Sequence, residues 1–144
     1  MDHNPASTAY LHVAYRPDAG SLIGRWLSTV TEPQLRAGYE TMRLAAHEHR
    51  CGYWLMDARR RADRRLNGPE WVVTSFLPRL QQELGGPLCV AFLVLPNHLQ
   101  EVEAAPDQAV KFPAPGGPFQ FARFIDEGAA TAWLAGHQRA ARPR

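Results

Sequence analysis

The sequence predicts an α/β domain with a mixed sheet of about five strands, in the order β-β-α-β-α-β-α-β-α. Three observations carry this expectation. Two runs rich in strand formers, 10–15 and 21–27, flank a Pro- and Gly-containing turn, which is a hairpin signature. Two short apolar runs, 51–57 and 88–95, end or begin beside turn signals; the second lacks alternation and reads as a strand covered on both faces. Helical periods separate the later strands, and strands alternating with helices imply a parallel core with right-handed crossovers.

The chain of 144 residues fits one domain and can bury a sizeable core. We place that domain at 9–136, between a polar N-terminal tail, 1–8, and a basic C-terminal tail, 137–144. No apolar run reaches the roughly 18 residues that would span a bilayer. Residues 1–5 show neither a basic nor an apolar leader region, so a cytoplasmic protein is expected. The net charge of +2 is too small to imply nucleic acid. Of 16 basic residues only Lys111 is a lysine, so fifteen are arginine. That bias reads mainly as the composition of a GC-rich genome. The cluster at 59–65 is the exception, because guanidinium suits bidentate contacts to anions.

Each element has its own local reason. Arg16 to Gly20 forms the hairpin turn, with Pro17 to set φ and Gly20 to supply a positive one. Thr31 caps the first helix, Gln34 can reach back to complete a capping box, and Pro33 sits harmlessly in the first turn. Leu35, Tyr39, Met42 and Ala46 then form an apolar stripe opposite Arg36, Glu40, Arg43, His47 and Glu48. Asn67 and Glu70 repeat the capping logic for a second helix ending near Leu84, with Val73, Phe76, Leu80 and Leu84 inward. Pro78 should kink or split it. A short helix is expected from Pro96 to about Ala105, then a Pro-rich loop over 106–118. Residues 119–123 alternate as a last strand, and Asp126 caps a closing helix that turns Ala129, Ala130, Trp133 and Leu134 inward.

The run 51–57 ends in Asp57, and five arginines follow at once: Arg59, Arg60, Arg61, Arg64 and Arg65. In open α/β sheets ligands bind beyond the carboxyl ends of the parallel strands. Asp57, Arg59, Arg60, Asn97, His98 and Asp126 could converge on one crevice there, with the helix start at Asn67 and the ring of Trp71 nearby. Such a site would favour a small anion or an acidic partner surface. Plainer readings compete: Asp57 as a turn-capping carboxylate paired with Arg59, the arginine run as a solvated loop, His98 as a helix-start residue without a catalytic role. His47 and His49 diverge on a helix and cannot share a metal as an i, i+4 pair would. Cys51 and Cys89 read as small buried hydrophobes. No phosphate loop, dinucleotide fingerprint, Cys-x-x-Cys or nucleophile elbow is present. No cofactor and no metal is implied.

The element order resembles the STAS / SpoIIAA-like family, in particular small stand-alone bacterial members of unassigned function. The residues that carry the likeness are Gly24-Arg-Trp-Leu27, Thr31-Glu-Pro-Gln34, Tyr53-Trp-Leu-Met-Asp57-Ala-Arg59, Trp71 before Phe76-Leu-Pro78, the strand ending at Pro96, and Phe124-Ile-Asp126 with Ala132-Trp-Leu134. The likeness spans 10–135. It implies a regulatory domain that works by protein contact. Anti-sigma-antagonist members carry a phosphorylated Ser or Thr after the third strand; here the segment is Asp57-Ala-Arg-Arg60, without a hydroxyl. The related CRAL-TRIO carriers keep a bound apolar ligand in play.

The leading expectation is therefore a non-enzymatic interaction module that presents the edge at 57–67 to a partner protein. The alternative is a carrier of a small anionic or amphipathic ligand, held between the arginine loop and the 106–118 loop. An acid–base enzyme using Asp57 and His98 ranks third. An exposed strand at 10–15 could also pair two chains into a homodimer.

Overall fold

The computed structural model describes residues 8–61, 71–96 and 119–141. Strands β1 (Leu11–Arg16) and β2 (Ser21–Trp26) form the hairpin. Helix α1 (Glu32–His49) leads to β3 (Tyr53–Asp57). A π-helical stretch, Val72–Phe76, runs into α2 (Leu77–Leu84) and then β4 (Leu88–Leu93). Strand β5 (Phe119–Phe124) and α3 (Glu127–Ala141) complete the described chain. The five strands lie in the order β1-β2-β3-β4-β5. The β1–β2 pair is antiparallel, and every later neighbour is parallel, so the sheet is mixed as expected.

Local chemistry sets the element ends. The Thr31–Gln34 capping box is complete: Gln34 N donates to Thr31 Oγ1 at 3.3 Å and Thr31 N donates to Gln34 Oε1 at 2.9 Å. Arg50 ends α1 in the left-handed region at φ 50°. Gly20 closes the hairpin turn at φ 61°. Pro78 has no N–H to give, and the ladder widens just ahead of it: Leu77 N reaches back five residues to Val72 O. The expected kink thus takes the form of a π-helical turn, in which the carbonyl that a proline ring would strike is moved aside. The start of that helix at Asn67, the helix expected at 96–105 and the 106–118 loop lie outside the described residues, apart from Pro96. Two boundaries are corrected. The closing helix continues to Ala141, so 137–141 belong to it rather than to a tail; His137, Gln138, Arg139 and two alanines are compatible with helix. Strand β4 stops at Leu93 rather than 95, although Val94 N still bonds Phe124 O.

Alternation along the strands divides the core in two. Leu22, Trp26, Trp54, Met56, Leu88, Val90 and Phe121 face α1 and α2 in the larger cluster. Ile23, Leu55, Cys89, Ala91 and Leu93 face α3, which supplies Ala130 and Leu134. Helix α1 can approach closely because Gly38 lies over the indole of Trp26. Helices α1 and α2 are also tied at the surface, where Glu83 accepts from Arg43 (3.2 Å) and contacts His47 (2.7 Å). Among the described residues no helix is long and apolar enough to cross a membrane.

Candidate functional site

Parallel pairing sends β2, β3, β4 and β5 out at one rim, which is the arrangement the sequence required of Asp57. The register sets Arg25 directly beside Asp57 on neighbouring strands. Both point to the α3 side, since Ile23 and Leu55, two residues earlier, belong to the α3-facing core. The first residue of α3, Glu127, is brought over the same place.

Four charged side chains result in one network. Arg25 Nη1 donates to Asp57 Oδ2 at 3.0 Å and to Glu127 Oε1 at 2.9 Å, while its Nη2 donates to Glu127 Oε2 at 3.1 Å. Arg59 donates three times to Asp57: its backbone N at 3.1 Å, Nε at 2.9 Å and Nη2 at 2.8 Å. Arg59 Nη2 also lies 3.5 Å from Glu127 Oε1. Asp57 is buried at 8 % exposure. Burial alone would push its carboxyl up, but the hydrogen bonds from Arg59 and Arg25 together outweigh this and hold it below the usual range. Glu127 is held low chiefly by its hydrogen bonds from Arg25. Two cations and two anions thus neutralise one another. The plainer reading of Asp57, a strand-end carboxylate paired with Arg59, is the one realised.

The other expected site residues separate. Arg60 is exposed at the rim. Arg61 turns back so that its guanidinium lies 5.2 Å from the ring of Trp26, on the α1 side of the sheet. Trp71 packs edge-on to Tyr39 under Arg36, whose guanidinium is 4.5 Å from its ring; this too is the α1 side, so Trp71 does not join Asp57. Asp126 is exposed and turned to its own helix, where Oδ2 accepts from Ala129 N at 2.8 Å. Its capping role is as expected, while its neighbour Glu127 is the acid that reaches the network. Arg64, Arg65, Asn67, Asn97 and His98 lie outside the described residues, as does the Asp57–His98 pairing.

Three features escaped the sequence reading. Arg25 and Glu127 are separated by 102 positions and meet only in the fold. Leu27, Leu95 and Ile125 are exposed large hydrophobics, at 39 %, 41 % and 50 %. Each stands one or two residues beyond the end of β2, β4 or β5, a position that can be found once the strands are known to be parallel. Arg123 is half-buried over Phe121 at 5.6 Å, and loss of solvent pushes its guanidinium below the ordinary value.

Cys51 and Cys89 are free and buried. Burial pushes the Cys89 thiol up to about 11, which leaves it protonated and a poor nucleophile. Among the described residues no group of three or more His, Cys, Asp or Glu could hold a metal. A groove of about 1090 Å³ lies between α3, the hairpin turn and the end of α1. No family model matches the chain, and no curated protein or solved structure matches it either.

Proposed function

We propose that this protein is a non-enzymatic interaction module of the STAS / SpoIIAA-like kind, which engages a partner protein through the rim at the carboxyl ends of its parallel strands. The observation that carries the reading is the row of exposed Leu27, Leu95 and Ile125 past three strand ends. Neighbouring strands stand about 4.8 Å apart, so the strands bearing these residues span roughly 15 Å of rim. Apolar anchors grouped on this scale, beside arginine, are the composition of an interface core.

The charged network supports the same reading. Because Arg25 and Arg59 are held by Asp57 and Glu127, they stiffen the rim and leave Arg60 as an exposed cation beside the apolar row. A partner with an apolar centre and an acidic margin fits that pattern. The phosphorylation switch of the anti-sigma antagonists is no part of the proposal, since Ala58 to Arg60 offer no hydroxyl.

The test is affinity capture from lysate of the source cell with wild type and with a Leu95→Asp/Ile125→Asp/Arg60→Glu variant. All three positions are exposed, so folding should be retained, and circular dichroism checks it. Loss of a protein that wild type captures is expected. Capture of the same proteins by the folded variant overturns the rim as the working surface.

A further inference from the structure

Arg25, Arg43 and Arg59 are half-buried, and each is matched within the chain. Arg25 donates to Asp57 and Glu127, Arg59 to Asp57, and Arg43 to Glu40 and Glu83. Those hydrogen bonds push all three guanidiniums up. Arg123 is half-buried too, yet its guanidinium is pushed down by loss of solvent, with no carboxylate to oppose this. It makes no ion pair and no hydrogen bond with a described residue. The acids closest in sequence are already used: Asp126 accepts from Ala129 N, and Glu127 from Arg25.

Alternation fixes the place of this side chain. Phe121 belongs to the core cluster under α1 and α2, and Arg123, two residues on, shares its face of β5. The register sets Arg123 beside half-buried Phe92 on β4. Phe92 meets Phe121 edge-on at 6.1 Å, and the Arg123 guanidinium stands 5.6 Å from the Phe121 ring. Among the described strands β5 is at the edge of the sheet, so Phe92 is the cross-strand neighbour on one side and no described strand lies on the other. A phenyl face attracts a cation but accepts no ordinary hydrogen bond from it, so the five N–H donors of the guanidinium remain to be used. A charge taken out of water without a counterion costs free energy, which an arriving anion recovers.

From this placement we infer that Arg123 is the seat for a carboxylate of the partner protein, an Asp or Glu side chain flanked by apolar residues that lie against Phe92 and Phe121. One guanidinium balances a monoanion, whereas a phosphate dianion would leave net negative charge beside the phenyl rings. The planar fork of arginine suits a carboxylate, and arginines of this kind are enriched among the residues that dominate interfaces. The inference rests on the rim reading only for the direction of approach, since Arg123 lies two residues before exposed Ile125.

Selection of short peptides from a random phage library on the immobilised full chain supplies the probe, and calorimetry with the synthesised peptide supplies affinities. The selected peptide should carry Asp or Glu between apolar residues. Changing that acid to its amide should weaken binding about tenfold or more on wild type and hardly at all on Arg123→Met, so the two changes are non-additive. Arg123→Met keeps an unbranched stem against Phe121 while removing the charge, and should melt no lower than wild type. The Leu95→Asp/Ile125→Asp variant separates the two readings. Loss of binding there, with additive effects at Arg123, sinks the seat and spares the rim; retained binding with non-additive effects does the reverse. The inference is overturned by selected peptides without an acid, by failure to select any peptide, by additive effects, or by a lower melting temperature of Arg123→Met, which would mean that the guanidinium is used within the chain.

Discussion

Replacing Asp57 by Asn tests whether the charged network holds the rim together. The substitution keeps shape and removes charge. Four hydrogen bonds from Arg25 and Arg59 end on this carboxylate, at 2.8–3.1 Å. Removing one partner of a buried pair costs roughly 3–5 kcal/mol. Here the Asp57 side chain is 11 % exposed, but Arg25 and Arg59 are 30 % and 38 % exposed. Water can rehydrate both guanidiniums, so the loss should shrink to about 2–3 kcal/mol near pH 7. For a chain of this size that is a fall of roughly 5–10 °C in Tm. The sign with pH follows from the depressed carboxyl. Its stabilisation is fully present above the unfolded-state value near ~3.9, and it is lost as pH falls through the lower folded-state value. Urea unfolding of wild type and Asp57→Asn across the acid range is the assay. The gap should persist at pH 5 and close only in stronger acid. A gap below about 0.5 kcal/mol at neutral pH, the size of a surface pair, refutes the reasoning, as does a gap that does not change with pH.

Other substitutions address packing and backbone. A Cβ on Gly38 would meet the indole of Trp26, which is 1 % exposed and enclosed by core, so Gly38→Ala should lower stability by about 1–3 kcal/mol in urea unfolding. At φ 50°, Arg50 occupies a backbone region that costs L residues energy, and Arg50→Gly should raise Tm, by about 1 kcal/mol in stability. Removing the Thr31 hydroxyl with Thr31→Ala should cost about 1 kcal/mol, read in the same assay. Both cysteines are buried with thiols pushed up by burial, so a disulfide reagent at pH 8 should label neither until denaturant is added. Rapid native labelling of Cys89, which faces α3, would show that the α3 layer opens.

Much of the fold was legible in the sequence, because its devices act over a few residues. The hairpin turn needs Pro17 and Gly20 in place. The capping box needs Thr31 three residues before Gln34, and Asp126 caps α3 through Ala129, again three residues on. Asp57 and Arg59 are two apart, so their pairing was readable as one of two options.

What the sequence could not say is which faces and registers meet. Arg25 finds Asp57 because β2 and β3 pair in one register, and a slip of one residue would turn Arg25 to the other face. Glu127 joins them because α3 returns over β3 and β4 on the side away from α1. The same choice of side puts Trp71 across the sheet from Asp57. Local spacing determined the elements of this protein; the pairing of distant charges and the space beside α3 were decided by the three-dimensional packing, because contacts between residues a hundred positions apart depend on register and face rather than on any period in the chain.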